Sequence, residues 1–176
     1  ESIERSRTSK AEADGFEFRP YTLFFSQRAW YVIGHHGGRD AVRCLKLNRF
    51  IEVQPTKKPY AIPDDFSVDD HLGNAWRMIR GNKTYNVELS FDAEFAETIA
   101  DTHWHETQEV AWQEDGTILF RCRVDGLDEI VWWILSMGPH CVIRKPAGLA
   151  RRVQQLASAT ASQYERSKPA RKKKAT

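Results

Sequence analysis

The sequence predicts two modules, a mainly β module followed by an α+β module. Three observations predict this fold class. Residues 16–53 are dense in β-forming side chains that are interrupted by turn residues. Residues 55–63 carry three prolines, which is typical of an extended connector. Beyond residue 82, strand-like and helix-like patterns follow one another in a regular order.

The first module is predicted to be an antiparallel meander closed by a helix. Its strand-like runs are joined by short loops and read FEFRPYTLFF, AWYVIGHH and VRCLKLNRFIEV. Gly37 and Gly38 predict a hairpin turn with positive φ, since a lone glycine pair lacks the spacing of a phosphate-binding loop. Apolar residues at helical spacing behind an acidic start predict a helix over 64–79. A Gly-Asn pair then breaks the chain, so the first module is predicted to span 16–82.

The second module, residues 83–165, is predicted to follow the order strand, helix, strand, strand, helix, strand. The strands are expected over 85–91, 106–113, 117–125 and 141–145, and the helices over 93–101 and 127–137. Asp115 and Gly116 predict the hairpin turn between the middle strands, although ETQEVAWQ also fits an extension of a helix. This order matches the ferredoxin-like plan. An amphipathic helix over 148–165 is expected to end the module.

The net charge of +2 depends on the C-terminal tail. Residues 166–176 hold six basic residues and no acidic one, so the rest of the chain carries a net charge of −4. We predict that this tail is disordered and attracts nucleic acid only weakly, and that residues 1–15 form a flexible start or lead into the first strand. Overall charge therefore gives no argument for nucleic-acid binding, and a local cluster of basic residues is required.

Cysteine spacing and hydropathy indicate a cytoplasmic protein. Cys44, Cys122 and Cys141 form no CxxC pair, which argues against a disulfide framework and a zinc ribbon. No apolar run approaches the roughly 18 to 20 residues of a membrane span, and the polar start lacks a signal-peptide core. We expect no membrane partner. The chain begins at Glu1 without an initiator Met, so we expect a fragment whose N-terminal domain is missing.

Several linked motifs resemble the WYL family. The run FRPYTLFFSQRAWYVIG is followed by RCLKLNRFIEV, and the Trp-Tyr-Leu run of the family reads Trp30-Tyr31-Val32 here. The strand pattern of the family extends from Arg43 to Phe50, with Asn48 in place of the usual Asp. Downstream, HETQEVAWQEDGTILFRC, EIVWWILSMG and KPAGL resemble the C-terminal extension of these proteins. The resemblance covers roughly residues 16–157.

The resemblance implies a small Sm-like or SH3-like β-barrel followed by a ferredoxin-like extension. It also implies the ligand-sensing and dimerisation region of a bacterial transcriptional regulator, with a winged-helix domain upstream. The expected partners are single-stranded nucleic acid or a nucleotide effector, a second copy of the chain, and duplex operator DNA through the absent domain. The alternative is a stand-alone RNA- or single-stranded-DNA-binding accessory module. The full-length gene product distinguishes the two, because only the regulator requires a winged helix.

The candidate ligand site combines two arginines with an aromatic ring. Arg43 and Arg49 lie six residues apart, an even spacing that puts both guanidinium groups on one face of a continuous strand. Such a pair binds phosphate oxygens through charge-assisted hydrogen bonds. Tyr21 and Tyr31 lie in adjacent predicted strands. Because alternation puts Trp30 and Tyr31 on opposite faces, only one of them is expected to line the site, and the resemblance favours Tyr31.

Two further residues complete the candidate site, and an alternative interpretation competes with it. Arg28 precedes the Trp-Tyr pair, and His35 lies beside the glycine turn. In the alternative, Trp30 packs in the core while the two arginines pair with Glu17 or Glu52 on the surface.

The sequence predicts neither an enzyme nor a bound metal or cofactor. His103 and His105 share one face of a strand with Glu106 nearby, but a metal site needs a third convergent ligand and no partner motif is visible. Nucleophile-elbow, phosphate-loop and zinc-protease motifs do not occur.

Overall fold

The computed structural model describes residues 15–26 and 28–166. The predicted flexible start or strand lead-in, up to residue 14, and the basic tail beyond residue 166 therefore lie outside the described residues. The chain divides into two compact units, residues 1–66 and residues 67–176, and each is described by itself.

The first unit contains a three-stranded antiparallel sheet in the order β1-β2-β3. The strands are β1 (Phe18–Ser26), β2 (Ala29–His36) and β3 (Ala41–Lys46). This is the predicted meander. A register shift interrupts β1 between Pro20 and Thr22.

The turn between β2 and β3 differs from the prediction in its backbone. Residues Gly37–Arg39 form a 3-10 turn, and the residue with positive φ is Asp40, at φ 44°, rather than either glycine. Asp tolerates the left-handed region better than most side chains do, because its short polar group bonds locally. Here its carboxylate lies 3.2 Å from Nε2 of His35.

No closed barrel forms within the described part of the first unit. Strands β1 and β3 are the two edges of an open sheet. After a second 3-10 turn, Leu47–Arg49, the chain is extended as its prolines predict. The extended segment is held to β1 by the Tyr60 hydroxyl, which donates to the Pro20 carbonyl at 2.6 Å.

The helix predicted over 64–79 is a single short helix, α1 (Val68–Leu72), in the second unit. The Ser67 side chain caps its start, and Gly73 ends it at φ 54°. The N–H groups that follow bond to a carboxylate instead of to helix carbonyls, since Glu129 Oε2 accepts from Arg77, Met78 and Ile79. The apolar spacing of this segment thus reflects burial of Trp76 in the core, not a continuous helix.

The second unit has the predicted order of strands and helices. Its elements are β4 (Thr84–Phe91), α2 (Ala93–Ala100), β5 (Glu109–Trp112), β6 (Ile118–Asp125), α3 (Ile130–Ser136), β7 (Cys141–Lys145) and α4 (Ala147–Arg166). The four strands form one antiparallel sheet in the order β5-β6-β4-β7. Gly116, at φ 79°, lies in the predicted turn between β5 and β6.

One face of this sheet forms the core with the helices. Alternate residues of β4 and β6 are buried, and the core also contains residues of all three helices and of the segment after α1. The buried set includes Val87, Leu89, Phe91, Phe120, Ala96, Ile99, Trp133, Leu149 and Trp76. The intervening residues of the strands lie on the opposite face and are polar in most positions.

Among the described helices, none is long and apolar enough to cross a membrane.

Candidate ligand-binding site

The strand register of the first unit separates the predicted site residues onto two faces. Residues directly opposite one another in an antiparallel pair point to the same face. One face, the Trp30 face, carries Leu23, Phe25, Trp30, Val32 and Arg43. The other face, the Tyr31 face, carries Phe24, Tyr31, Ile33, His35 and Lys46. Tyr31 and Arg43 therefore point in opposite directions.

Large apolar side chains are exposed where the Trp30 face reaches the β1–β2 hairpin. Trp30 is 54% exposed and Phe25 is 60% exposed, and their rings meet edge to face with centroids 5.5 Å apart. Leu23 is exposed beside them. Arg28, in the hairpin turn at φ 63°, is exposed at the same end. A solvent-exposed aromatic pair beside a cation is suited to stacking against a base.

The other end of the Trp30 face is covered by aromatic rings. Phe18 packs over Gly34, and the Phe50 ring contacts Phe18 with centroids 6.3 Å apart. Phe16 stacks on His36 at 4.0 Å. Because Phe50 directly follows the 3-10 turn Leu47–Arg49, the chain turns onto the Trp30 face after β3 ends.

The two predicted arginines lie in different elements. Arg43 lies opposite Gly34 on β3, is exposed, and donates to the carbonyl of Val42 at 3.2 Å. The alternation argument does not extend to Arg49, because β3 ends at Lys46 and Arg49 lies in the 3-10 turn. The register therefore assigns only Arg43 to the Trp30 face, while Arg49 lies one residue before Phe50, whose ring contacts Phe18 on that face.

The Tyr31 face is more covered. Tyr31 is half-buried and stacks on Phe24 with centroids 5.6 Å apart, and Lys46 lies opposite it. Ile33 on the same face is fully buried. Tyr21 lies at the register shift in β1, where its ring packs edge to face on Phe66.

The described carboxylates near this sheet have other partners. Glu17 pairs with Lys58 at 2.8 Å and with Arg19 at 3.3 Å, and these two cations hold the pKa of the Glu17 carboxyl below its ordinary value. Glu52 accepts a hydrogen bond from Gln54. Within residues 15–26 and 28–166, neither Arg43 nor Arg49 has a carboxylate partner. The alternative in which Glu17 or Glu52 neutralises them is not realised, and neither is a buried Trp30.

The histidines of the second unit have structural partners. His105 is buried with Nε2 3.2 Å from the Ala75 carbonyl oxygen and Nδ1 2.9 Å from the Thr107 hydroxyl. His103 lies 3.4 Å from Glu106 on the surface. No group of three or more potential metal ligands occurs among the residues that the structure describes.

Two domain families match the chain. The WYL domain matches residues 4–55, and the WCX domain matches residues 83–161. The chain belongs to the WYL-domain family. The WYL match contains the Trp30 face and every predicted site residue, whereas the WCX match contains the whole four-stranded sheet of the second unit.

A solved structure of Proteasome accessory factor B/C (PafBC) of Arthrobacter aurescens is similar to this WYL–WCX chain. The two are 20% identical with a TM-score of 0.41, over 92% of this chain and 25% of that one. The chain therefore spans about a quarter of the length of that relative. No curated protein matches the chain.

Sequence reasoning missed Phe25 and Leu23 as exposed members of the candidate site. Both are apolar residues in a strand that alternation alone leaves free to face either core or solvent. The available signal in the sequence was their spacing of two residues, which puts both side chains on one face of the strand. The structure pairs Phe25 with Trp30 on that face.

Proposed function

We propose that this chain is the ligand-sensing and dimerisation region of a bacterial transcriptional regulator. Its WYL domain binds single-stranded nucleic acid or a related nucleotide effector in the cytoplasm. Binding then alters the affinity of a winged-helix domain, outside this chain, for duplex operator DNA. The WYL and WCX matches support the regulatory role.

The exposed Phe25–Trp30 pair on the same face as Arg43 supports the effector class. Each base that stacks on an aromatic ring contributes roughly 1 to 3 kcal/mol. Arg43 on this face, together with Arg28 in the hairpin turn and Arg49 in the 3-10 turn after β3, supplies charge-assisted hydrogen bonds to phosphates. Ring and cation together match the two chemical parts of a nucleotide.

The spacing along β2 favours an oligonucleotide over a mononucleotide. Arg43 lies opposite Gly34, and Gly34 is four residues from Trp30 along β2. Four strand residues span about 13 Å. A ligand that contacts both ends of this face therefore extends beyond one nucleotide.

The proposal includes the two architectures that the family resemblance implies. We propose that strands β1–β3 form part of an Sm-like barrel and that the second unit is ferredoxin-like. The order β5-β6-β4-β7 with antiparallel pairing throughout supports the second assignment.

Regulation by the ligand requires that the ligand binds two arrangements of the dimer with different affinity.

Charge reversal of the arginines tests the proposal. We expect Arg43→Glu combined with Arg49→Glu to weaken binding of a fluorescent single-stranded oligonucleotide by at least about tenfold and to lower its salt dependence. Fluorescence anisotropy at two salt concentrations measures both. Lys57→Glu, in the exposed connector, is the control for a change of surface charge. Unchanged affinity and salt slope in the double variant would refute this site.

A further inference from the structure

The four-stranded sheet of the WCX domain has one face that no described helix covers. Helices α2, α3 and α4 contribute to the core on the face of Leu89 and Phe120. By alternation and register, the opposite face carries Thr84, Asn86, Glu88, Ser90, Glu109, Ala111, Leu119, Arg121, Arg123, Asp125, Val142 and Lys145. We call this set, with Arg144 at the register shift of β7, the polar sheet face.

Positive charge predominates at the centre of the polar sheet face. Arg121 Nε donates to Glu88 at 2.8 Å. The hydrogen bond from Arg121, and the charges of Lys145, Arg121 and Arg144, hold the pKa of the Glu88 carboxyl below its ordinary value despite partial desolvation. The Glu88 carboxylate thus faces three cations, and Arg121 Nε is the only nitrogen of that guanidinium in a hydrogen bond among the described residues.

Arg123 extends this positive region along β6. It lies two residues beyond Arg121, opposite Asn86, and is exposed. No described carboxylate pairs with its side chain. The next acid on this face of β6, Asp125, is already bonded by Thr84 at 2.6 Å and by Arg80 at 3.3 Å. Glu109, opposite Arg121 on β5, is the only other acid on the face.

The exposed cations of the polar sheet face indicate an anionic partner. We propose that the polar sheet face binds the phosphodiester backbone of single-stranded nucleic acid. Arg121 and Arg123 are separated by about 6.7 Å along β6. Their two guanidinium groups therefore contact two successive phosphates of an extended nucleic-acid strand. The face carries small polar and aliphatic residues between its cations and no aromatic ring, so it contacts phosphates without stacking on bases.

This surface does not depend on the site in the WYL domain. Its residues belong to the second unit and its charges are supplied by β6 and β7. Binding at the polar sheet face is therefore tolerant of base sequence, and it accounts for the weaker affinity that remains when Arg43 and Arg49 are both reversed.

Single charge reversals in the full chain test the proposal. We expect Arg123→Glu and Arg144→Glu each to weaken binding of fluorescein-labelled oligothymidylate at least threefold, and to lower the slope of log affinity against log salt by about one. Arg151→Glu makes the same change of charge on an exposed position of α4 and should leave both quantities unchanged. Arg123→Gln should produce a smaller loss in the same direction, and far-UV circular dichroism verifies the fold of each variant.

Three results would overturn the proposal. The first is equal affinity and salt slope in Arg123→Glu, Arg144→Glu and Arg151→Glu. The second is binding of a matched duplex as tightly as the single strand. The third is a change from dimer to monomer in sedimentation of Arg123→Glu, which would make this face an interface between copies of the chain. Loss of binding in the Arg43/Arg49 variant with no loss in Arg123→Glu would support the WYL site alone.

Discussion

Gly34 lies where the first two strands of the WYL domain leave no room for a side chain. A Cβ at this position would lie 2.3 Å from the backbone oxygen of Arg19 and 2.8 Å from the Phe18 ring. A backbone atom cannot move aside as the end of a side chain does, so the strands would have to separate.

We therefore expect Gly34→Ala to lower the free energy of unfolding of the WYL domain by roughly 1 to 3 kcal/mol. Gly38→Ala is the matched control, since its new Cβ meets only the His36 ring at 3.4 Å. Urea denaturation of the two variants measures the difference. Equal stability of the two variants would mean that the strands do not approach this closely.

Glu129 organises the segment that sequence periodicity predicted to be helical. Its Oε2 accepts three consecutive backbone N–H groups at 2.8 to 2.9 Å, from Arg77 to Ile79. Hydrogen bonds to a charged acceptor are stronger than those between neutral groups.

Removing this acceptor should destabilise the WCX domain. We expect Glu129→Ala to cost about 1 to 3 kcal/mol of unfolding free energy. Asp128→Ala is the control, because its surface ion pair with Arg152 is worth little. Thermal unfolding compares the two, and an equal effect of both substitutions would contradict the role given to Glu129.

At the scale of elements, helix α2 begins at a carboxylate with several partners. Asp92 caps the helix by accepting from Phe95 N, and its Oδ2 lies 2.8 Å from His140 Nδ1. The hydrogen bond with His140, followed by the backbone bond from Phe95, lowers the pKa of the Asp92 carboxyl from its ordinary value of 3.8.

A lowered pKa in the folded state stabilises the protein above the unfolded-state pKa, and the contribution is lost as pH falls through the folded-state pKa. We expect Asp92→Asn, which keeps a capping side chain, to be less stable than the wild type near neutral pH. The difference should vanish in acid. Urea denaturation from neutral pH to about pH 3 measures it, and a difference independent of pH would contradict this account.

Strands were predictable from sequence where alternation and turn residues agree, as in β1–β3 and in the strand order of the second unit. The end of β3 at Lys46 was not predictable, because the turn onto the Trp30 face depends on the contact between Phe50 and Phe18, which are distant in sequence. The segment after α1 was mispredicted for the same kind of reason, since Glu129 is about 50 residues away. Choosing Trp30 over Tyr31 required knowledge of which face is covered.

At the scale of the whole molecule, the two domains differ in how much apolar surface they bury. Among the described residues, the WYL domain fully or nearly buries the apolar residues Val32 and Ile33, whereas the second unit, which contains the WCX domain, has an extended core that includes Trp76 and Trp133. A sheet with a small core and exposed aromatic rings is suited to a conformational change on ligand binding. A unit with a larger core is suited to keep a single conformation.

The most direct test of the proposed function compares the two faces of the WYL sheet. Trp30→Leu and Tyr31→Leu each remove one ring while keeping apolar bulk, and anisotropy of a labelled single-stranded oligonucleotide measures affinity. We expect Trp30→Leu to weaken binding by about five- to 140-fold, the equivalent of one stacked base, and Tyr31→Leu to have little effect. Undiminished binding by Trp30→Leu, with a large loss in Tyr31→Leu, would contradict it and assign the ligand to the Tyr31 face.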